Sequence, residues 1–157
     1  MTEKHLVINY TEYASASEMS PEDQQLVSAA IDARSGSYSP YSRFQVGAAL
    51  RLGDGTIVKG ANQENAAYPS GLCAERTALF AAGANYPDLP VRSLAIVAGH
   101  KGVILDEPAT PCGACRQVMA ESQKRAGAPI SVILIGARRI WKFESVDDVL
   151  PFIFDSL

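Results

Sequence analysis

The sequence predicts an α/β domain: a three-layer α/β/α sandwich in which a mixed sheet of about five strands lies between helices. Three observations carry this. Phe44, Val46, Ala48, Leu50 and Leu52 alternate with other residues and run into Gly53-Asp54-Gly55, which marks a strand and a hairpin turn. Two later stretches, 91–98 and 130–135, are almost wholly apolar and suit strands covered on both faces. Between and around them lie segments with helix caps and helical periodicity.

Taken in order, residues 1–19 read as an N-terminal extension. Leu6, Ile8 and Tyr10 alternate with Val7, Asn9 and Thr11, which permits a short strand, and 14–17 reads as loop. Ser20 can cap a helix, Pro21 suits its first position, and Asp23 completes a capping-box pattern. Leu26, Val27, Ala30 and Ile31 then share a face, with Gly36 as the stop. Residues 37–42 form a turn-rich loop around Pro40. The strand at 44–52 returns through 56–61 as an antiparallel hairpin partner. Pro69, Ser70 and Gly71 make a loop, and 72–82 reads as an Ala-rich helix stopped by Gly83. The strand at 91–98 leads through a loop to Pro111 and a second Cys-bearing helix over 113–124. The link from 130–135 to 140–143 is too short for a parallel crossover, so these two strands are antiparallel neighbours. Ser145 to Asp148 reads as a capping box for a last helix, leading to a tail with Phe152 and Phe154. No repeat or linker divides residues 20–157, which read as a single domain.

Composition narrows the function. The chain has 157 residues, 47% of them hydrophobic, which suffices for a core in one domain. A net charge of −3 argues against a nucleic-acid surface. No apolar run approaches the roughly 20 residues that cross a bilayer, and the start lacks a signal-peptide pattern. The expectation is a cytoplasmic protein without membrane or nucleic-acid partners. Three cysteines cannot all pair within one chain. In a reducing compartment they point to metal binding or catalysis, or else to buried inert thiols.

The chemistry concentrates in two stretches. Asn62 to Arg76 contains Cys73-Ala74-Glu75-Arg76, and Pro111-Cys112-Gly113-Ala114-Cys115 follows. Cys112 and Cys115, three apart at a helix start, share one face. Helix N-termini favour thiolate, and Cys73 stands at a second such entrance. Two helices meeting tip to tip would gather three thiolates around one Zn²⁺ per chain, leaving a fourth position for water. Zinc lowers the pKa of bound water from about 15.7 toward 7. Glu75 would take and deliver the proton, and Arg76 would offset thiolate charge by hydrogen-bonding a sulfur. Cys73 and Glu75 are two apart, so both serve one site only if Cys73 lies at the first turn or just before it. Cys-x-x-Cys by itself is more often a redox pair or a structural zinc half-site than half of a catalytic zinc. Glu75 could be an ordinary first-turn carboxylate, and Phe44 and Phe154 simple packing residues.

Together with the blocks at 39–50, 62–76, 111–117 and 150–154, these residues resemble the small, homo-oligomeric cytidine deaminases. The resemblance spans about residues 21–157 and implies the deaminase fold. It implies hydrolytic deamination of cytidine and deoxycytidine in pyrimidine salvage, with zinc-bound hydroxide attacking C4. It makes Cys73, Cys112 and Cys115 the zinc ligands and Glu75 the proton shuttle. Phe44, Asn62 and Glu64 would line the pocket, the last two holding the ribose 3′-hydroxyl. The Ala74 N–H would meet the base carbonyl, and the Thr110 carbonyl the exocyclic amine. Tyr68 and Phe154 would reach a neighbouring subunit's site in a homotetramer.

Two other readings compete. Blasticidin-S-type deaminases and other nucleoside-analogue deaminases share the Cys-Ala-Glu and Pro-Cys-x-x-Cys elements, and a zinc-stabilised interaction domain would need the thiols but not Glu75. A nucleic-acid editing enzyme fits an acidic chain poorly.

Overall fold

The computed structural model describes residues 1–155, so the last two residues of the expected domain lie outside the described residues. One sheet organises the chain. Its strands are β1 (Thr11–Tyr13), β2 (Phe44–Leu52), β3 (Ile57–Ala61), β4 (Val91–His100), β5 (Val103–Ile104), β6 (Ser131–Ile135) and β7 (Ile140–Phe143). The helices are α1 (Pro21–Ala33), α2 (Ala74–Asn85) and α3 (Gly113–Ala126). The strand order is β1-β7-β6-β4-β2-β3, with β5 paired to β4. Only β4 and β6 run parallel. All five expected strands are present, and β1 and β5 extend the sheet beyond them.

Alternation along the strands divides the core in two. Ala48, Leu50, Leu94, Ile96, Val132 and Leu134 face α2 and α3, where they meet Ala78, Leu79 and Met119. Ala49, Ala95, Val97, Ile133 and Ile135 face α1 and meet Leu26, Val27 and Ala30. Because β4 and β6 are buried on both faces, their runs are apolar without alternation. The α/β/α layering of the sequence reading is therefore the architecture.

Local details differ from expectation in four places. The N-terminal strand begins at Thr11 rather than Leu6. Thr11 pairs with Lys142 and Tyr13 with Ile140, so residues before Tyr10 run past the end of β7. Tyr10 packs its ring over Trp141 and Phe143 at centroid distances of 5.6 and 5.4 Å. Ser20 does cap α1 by accepting from the Asp23 N–H, but the Asp23 carboxylate pairs instead with Lys142 Nζ at 2.9 Å. Gly83 does not stop α2; the helix runs to Asn85, where Tyr86 precedes Pro87 and is steered out of the helical region. The expected last helix is a single 3₁₀ turn, Val146–Asp148. Its capping box is real, with Ser145 Oγ accepting from the Asp147 N–H at 3.1 Å and Asp148 accepting from the Ser145 N–H at 3.2 Å. Leu150 then meets Pro151, which disfavours continuation.

Register gathers the chemistry at one end of the sheet. Phe44, at the start of β2, lies opposite His100 at the end of β4, and Gly47 lies opposite Ala61 at the end of β3. The segments after β3 and after β4 therefore leave from the same edge, where the carboxyl ends of the parallel strands open a crevice. Gly60 lets α2 press onto the sheet there. A Cβ at Gly60 would stand 2.5 Å from Ala78 N and 2.6 Å from Ala74 O. Gly60→Ala should therefore destabilise the fold by about 3 kcal/mol, the upper end for overpacking. Gly113→Ala, whose Cβ would meet no described atom within 4 Å, should change stability by less than about 0.5 kcal/mol. Urea unfolding of the two variants makes the comparison.

Candidate metal centre

Cys73 is the N-cap of α2 and Cys112 the N-cap of α3. Both have extended backbones, with ψ of 153° and 163°, so each sulfur sits before its helix rather than on it. The carbonyls still join the helices. Cys73 O accepts from the Thr77 N–H and Cys112 O from the Arg116 N–H, both at 3.0 Å. Neither sulfur caps its own helix, which leaves both facing the gap between the two tips. Cys115, one turn into α3, is fully buried beneath them. This resolves the spacing problem in Cys73-Ala74-Glu75. Because Cys73 is not yet helical, its sulfur and the Glu75 carboxylate can serve one site.

The three sulfurs lie within 4.8 Å of one another, with Cys73 and Cys112 4.0 Å apart. A tetrahedral zinc with bonds of about 2.3 Å wants its sulfurs about 3.8 Å apart, so a contraction of about 1 Å at most closes the cluster on one ion. Three soft donors with one open position suit zinc in its catalytic form.

The electrostatics favour a cation. A hydrogen bond from Cys115, with support from Arg76 and Cys112, brings the Cys73 thiol down to about 5. Cys115 is pushed up, because it gives that hydrogen bond and is buried beside Glu75. Arg76 Nη2 donates to Cys73 Sγ at 3.7 Å. Glu75 is only 5% exposed, and burial first, then the Cys73 charge, raise its carboxyl above the usual range.

The remaining expected residues form two groups. Asn62 and Glu64 belong to a segment stitched between two neighbours. Gln63 exchanges both backbone hydrogen bonds with Leu72 at 2.9 Å, just before Cys73, and the Glu64 N–H donates to Tyr38 O at 2.8 Å. Asn62 Oδ1 accepts from the Val46 N–H at 2.8 Å and Ser37 Oγ at 2.6 Å, while Nδ2 donates to Phe44 O at 2.8 Å. The Glu64 carboxylate accepts from the Tyr41 and Ser42 N–H groups and the Ser42 hydroxyl. That hydroxyl is the main cause of its lowered pKa. Phe44, Asn62 and Glu64 are thus tied into one wall. Ala74 is buried at the first position of α2, and Thr110 is exposed beside Pro111. Tyr68 and Phe154 do not join this group; they are 91% and 65% exposed at the surface of the single chain.

Sequence reasoning assigned no role to Ser37, Ser42, Arg116 or Gln117. Arg116 Nε donates to Pro111 O and its Nη1 to Val149 O, both at 2.8 Å, bracing the approach to Cys112. No spacing rule marks them, since Ser37 and Ser42 meet the side chains of Asn62 and Glu64, and Arg116 and Gln117 meet backbone groups of residues 149 and 154, all distant in sequence.

Comparison with known proteins agrees with this geometry. Residues 20–127 match the family model described as the cytidine and deoxycytidylate deaminase zinc-binding region. The chain is a member of that family. The cytidine deaminase of Halalkalibacterium halodurans is 55% identical over 100 residues, 62% of this chain and 70% of that one. The crystal structure of cytidine deaminase from Burkholderia pseudomallei superposes with a TM-score of 0.72 at 39% identity, covering 87% of this chain and 100% of that one. That from Mycobacterium tuberculosis gives 0.65 at 36% identity, covering 83% and 95%. The matched region is a zinc-binding one, and the Cys73, Cys112 and Cys115 cluster within it is suited to a metal ion.

Arg76 is the one cation hydrogen-bonded to a cluster sulfur among the described residues. Arg76→Ala should weaken zinc affinity about tenfold to a hundredfold, as loss of a group supporting metal ligands does. Competition with a chromophoric chelator reads this directly.

Proposed function

We infer that the protein hydrolyses cytidine and deoxycytidine to the uracil nucleosides with release of ammonia. One observation carries the reading: three thiols and a buried carboxylate meet where two helix N-termini converge, which is more than a structural zinc needs. Cys73, Cys112 and Cys115 hold the ion, which supplies the Lewis acidity that makes water a nucleophile near neutral pH. Glu75 accepts the proton of the attacking water at its carboxylate. It passes that proton to the ring nitrogen, then takes a second from the new C4 hydroxyl as the carbonyl forms and passes it to the leaving amine. Burial suits it to this work by raising its proton affinity toward the working pH. Water adds its oxygen at C4 and ammonia departs, so atoms and charge balance.

The chain's own groups orient the nucleoside. The Ala74 N–H, one of the first donors of α2 and free of intrahelical bonding, meets the base carbonyl. The Thr110 carbonyl accepts from the exocyclic amine. Glu64 retains acceptor capacity and Asn62 a second amide hydrogen, so the pair can receive and donate to one sugar hydroxyl. Phe44 packs beside them. Arg76 balances thiolate charge.

The reading includes a homotetramer with shared sites, in which Tyr68 and Phe154 complete a neighbour's pocket. Support comes from the exposure of both rings and of Phe80 on α2. It also includes a role in pyrimidine salvage in the cytoplasm; no described helix is long and apolar enough to cross a membrane. Residues 1–19 are an extension to one domain over 20–157, and the family match begins at residue 20. The relatives named above are cytidine deaminases, which favours cytidine over blasticidin S.

Purified protein should carry about one zinc per chain, the stoichiometry of one three-thiol site. Glu75→Gln should keep that zinc and its circular dichroism while losing about 10²–10⁴ in turnover. An absorbance assay against cytidine, deoxycytidine, cytosine and blasticidin S tests the substrate. Activity on blasticidin S but not cytidine rejects the proposal, and activity on free cytosine alone removes the sugar role of Asn62 and Glu64.

A further inference from the structure

Gln117 stands two residues beyond Cys115 on α3, and its side chain binds the backbone of one residue at both of its polar groups. Its Nε2 donates to Phe154 O at 2.8 Å, and its Oε1 accepts from the Phe154 N–H at 3.2 Å. A primary amide here stands in for a strand neighbour, matching one donor and one acceptor of the peptide. Arg116 holds the other end of the same segment through Val149 O. The tail from Val149 to Phe154 is therefore tied at both ends to the turn of α3 that carries Cys115.

Packing does not place the rings of this tail. Phe152 is 85% exposed and Phe154 65% exposed, so burial gives neither a fixed position. For Phe154 the two hydrogen bonds to its own N–H and C=O fix the direction in which its side chain leaves the backbone. An untethered tail would have to be ordered afresh at each binding event, at a cost in backbone entropy.

We propose that Gln117 is a positioning residue that holds Phe154 ready to close the nucleoside pocket of a neighbouring copy. This rests on the reading that Phe154 serves a neighbour's site. Gln117 does not touch substrate; it acts through Phe154, and the effect belongs in substrate binding rather than in the chemical step.

The test uses the zinc-loaded full chain with Gln117→Leu, Phe154→Ala and the double variant. Amide hydrogen exchange at Phe154 and the kinetic constants for cytidine are measured together. Gln117→Leu should speed exchange at Phe154 about tenfold or more, the loss of two hydrogen bonds. It should raise KM about fivefold to tenfold with kcat within about twofold and zinc content unchanged. The double variant should be no worse than Phe154→Ala, because both changes act on one contact. Gln117→Glu keeps the acceptor and loses the donor, so it should fall between parent and Gln117→Leu; it serves if the leucine variant misfolds. Parent-like exchange at Phe154 in Gln117→Leu would overturn the tether. A raised KM in Phe154→Ala beside an unchanged one in Gln117→Leu would overturn the kinetic role of Gln117. An unchanged KM in Phe154→Ala would instead reject the pocket role of Phe154, and the proposal with it.

Discussion

Two helices that point their N-termini at each other need something anionic between them. Each tip presents unpaired N–H groups and the positive end of a dipole. Here α2 and α3 converge with Cys73 and Cys112 as their N-caps, and Cys115 beneath. Thiolates would answer the two dipoles, and a dication bound there would hold the thiolates together. Arg76, hydrogen-bonded to Cys73, shares the charge from the side. The rest of the fold keeps these two tips in place. Gly60 admits the first turns of α2 to the sheet, and the β4–β6 pair brings α3 beside it.

The wall to which we assign the substrate is built differently, from backbone rather than dipoles. Asn62 and Glu64 spend most of their hydrogen-bonding capacity on the chain itself, fastening residues 37–46 to the strand end. A wall preassembled in this way loses little entropy when a small ligand arrives. The same economy extends to the tail, where Arg116 and Gln117 bind carbonyls and an N–H of residues 149–154. One turn of α3 thereby supports the approach to a metal ligand and the tail.

Burial gives Glu75 its character. A carboxylate at an exposed helix start would be ionised and solvated. At 5% exposure, next to thiolate charge, the same group holds a proton more tightly. That tuning comes from what packs over it, not from its place in the chain.

Much was legible in advance because it depends on local physics. Alternation over Phe44–Leu52 and the apolar runs of β4 and β6 report burial on one or two faces, and Ser20-Pro21 reports a helix entrance. The Cys-Ala-Glu and Cys-x-x-Cys spacings each set donors at a helix tip, and it is their combination with the surrounding blocks that selects a metal chemistry over a redox pair. Gly83 misled, because a glycine inside a helix and one ending it look alike until Tyr86-Pro87 is seen to terminate α2. The start of β1 was illegible because β7's length sets it, and β7 is more than a hundred residues away. Sequence alone determined which atoms could bind metal and move a proton. Only the tertiary structure decided that three sulfurs close to within 4.8 Å, that Glu75 is buried beside them, and that Gln117 grips Phe154. Distances and dielectric surroundings arise between segments far apart in the chain, and no local pattern encodes them.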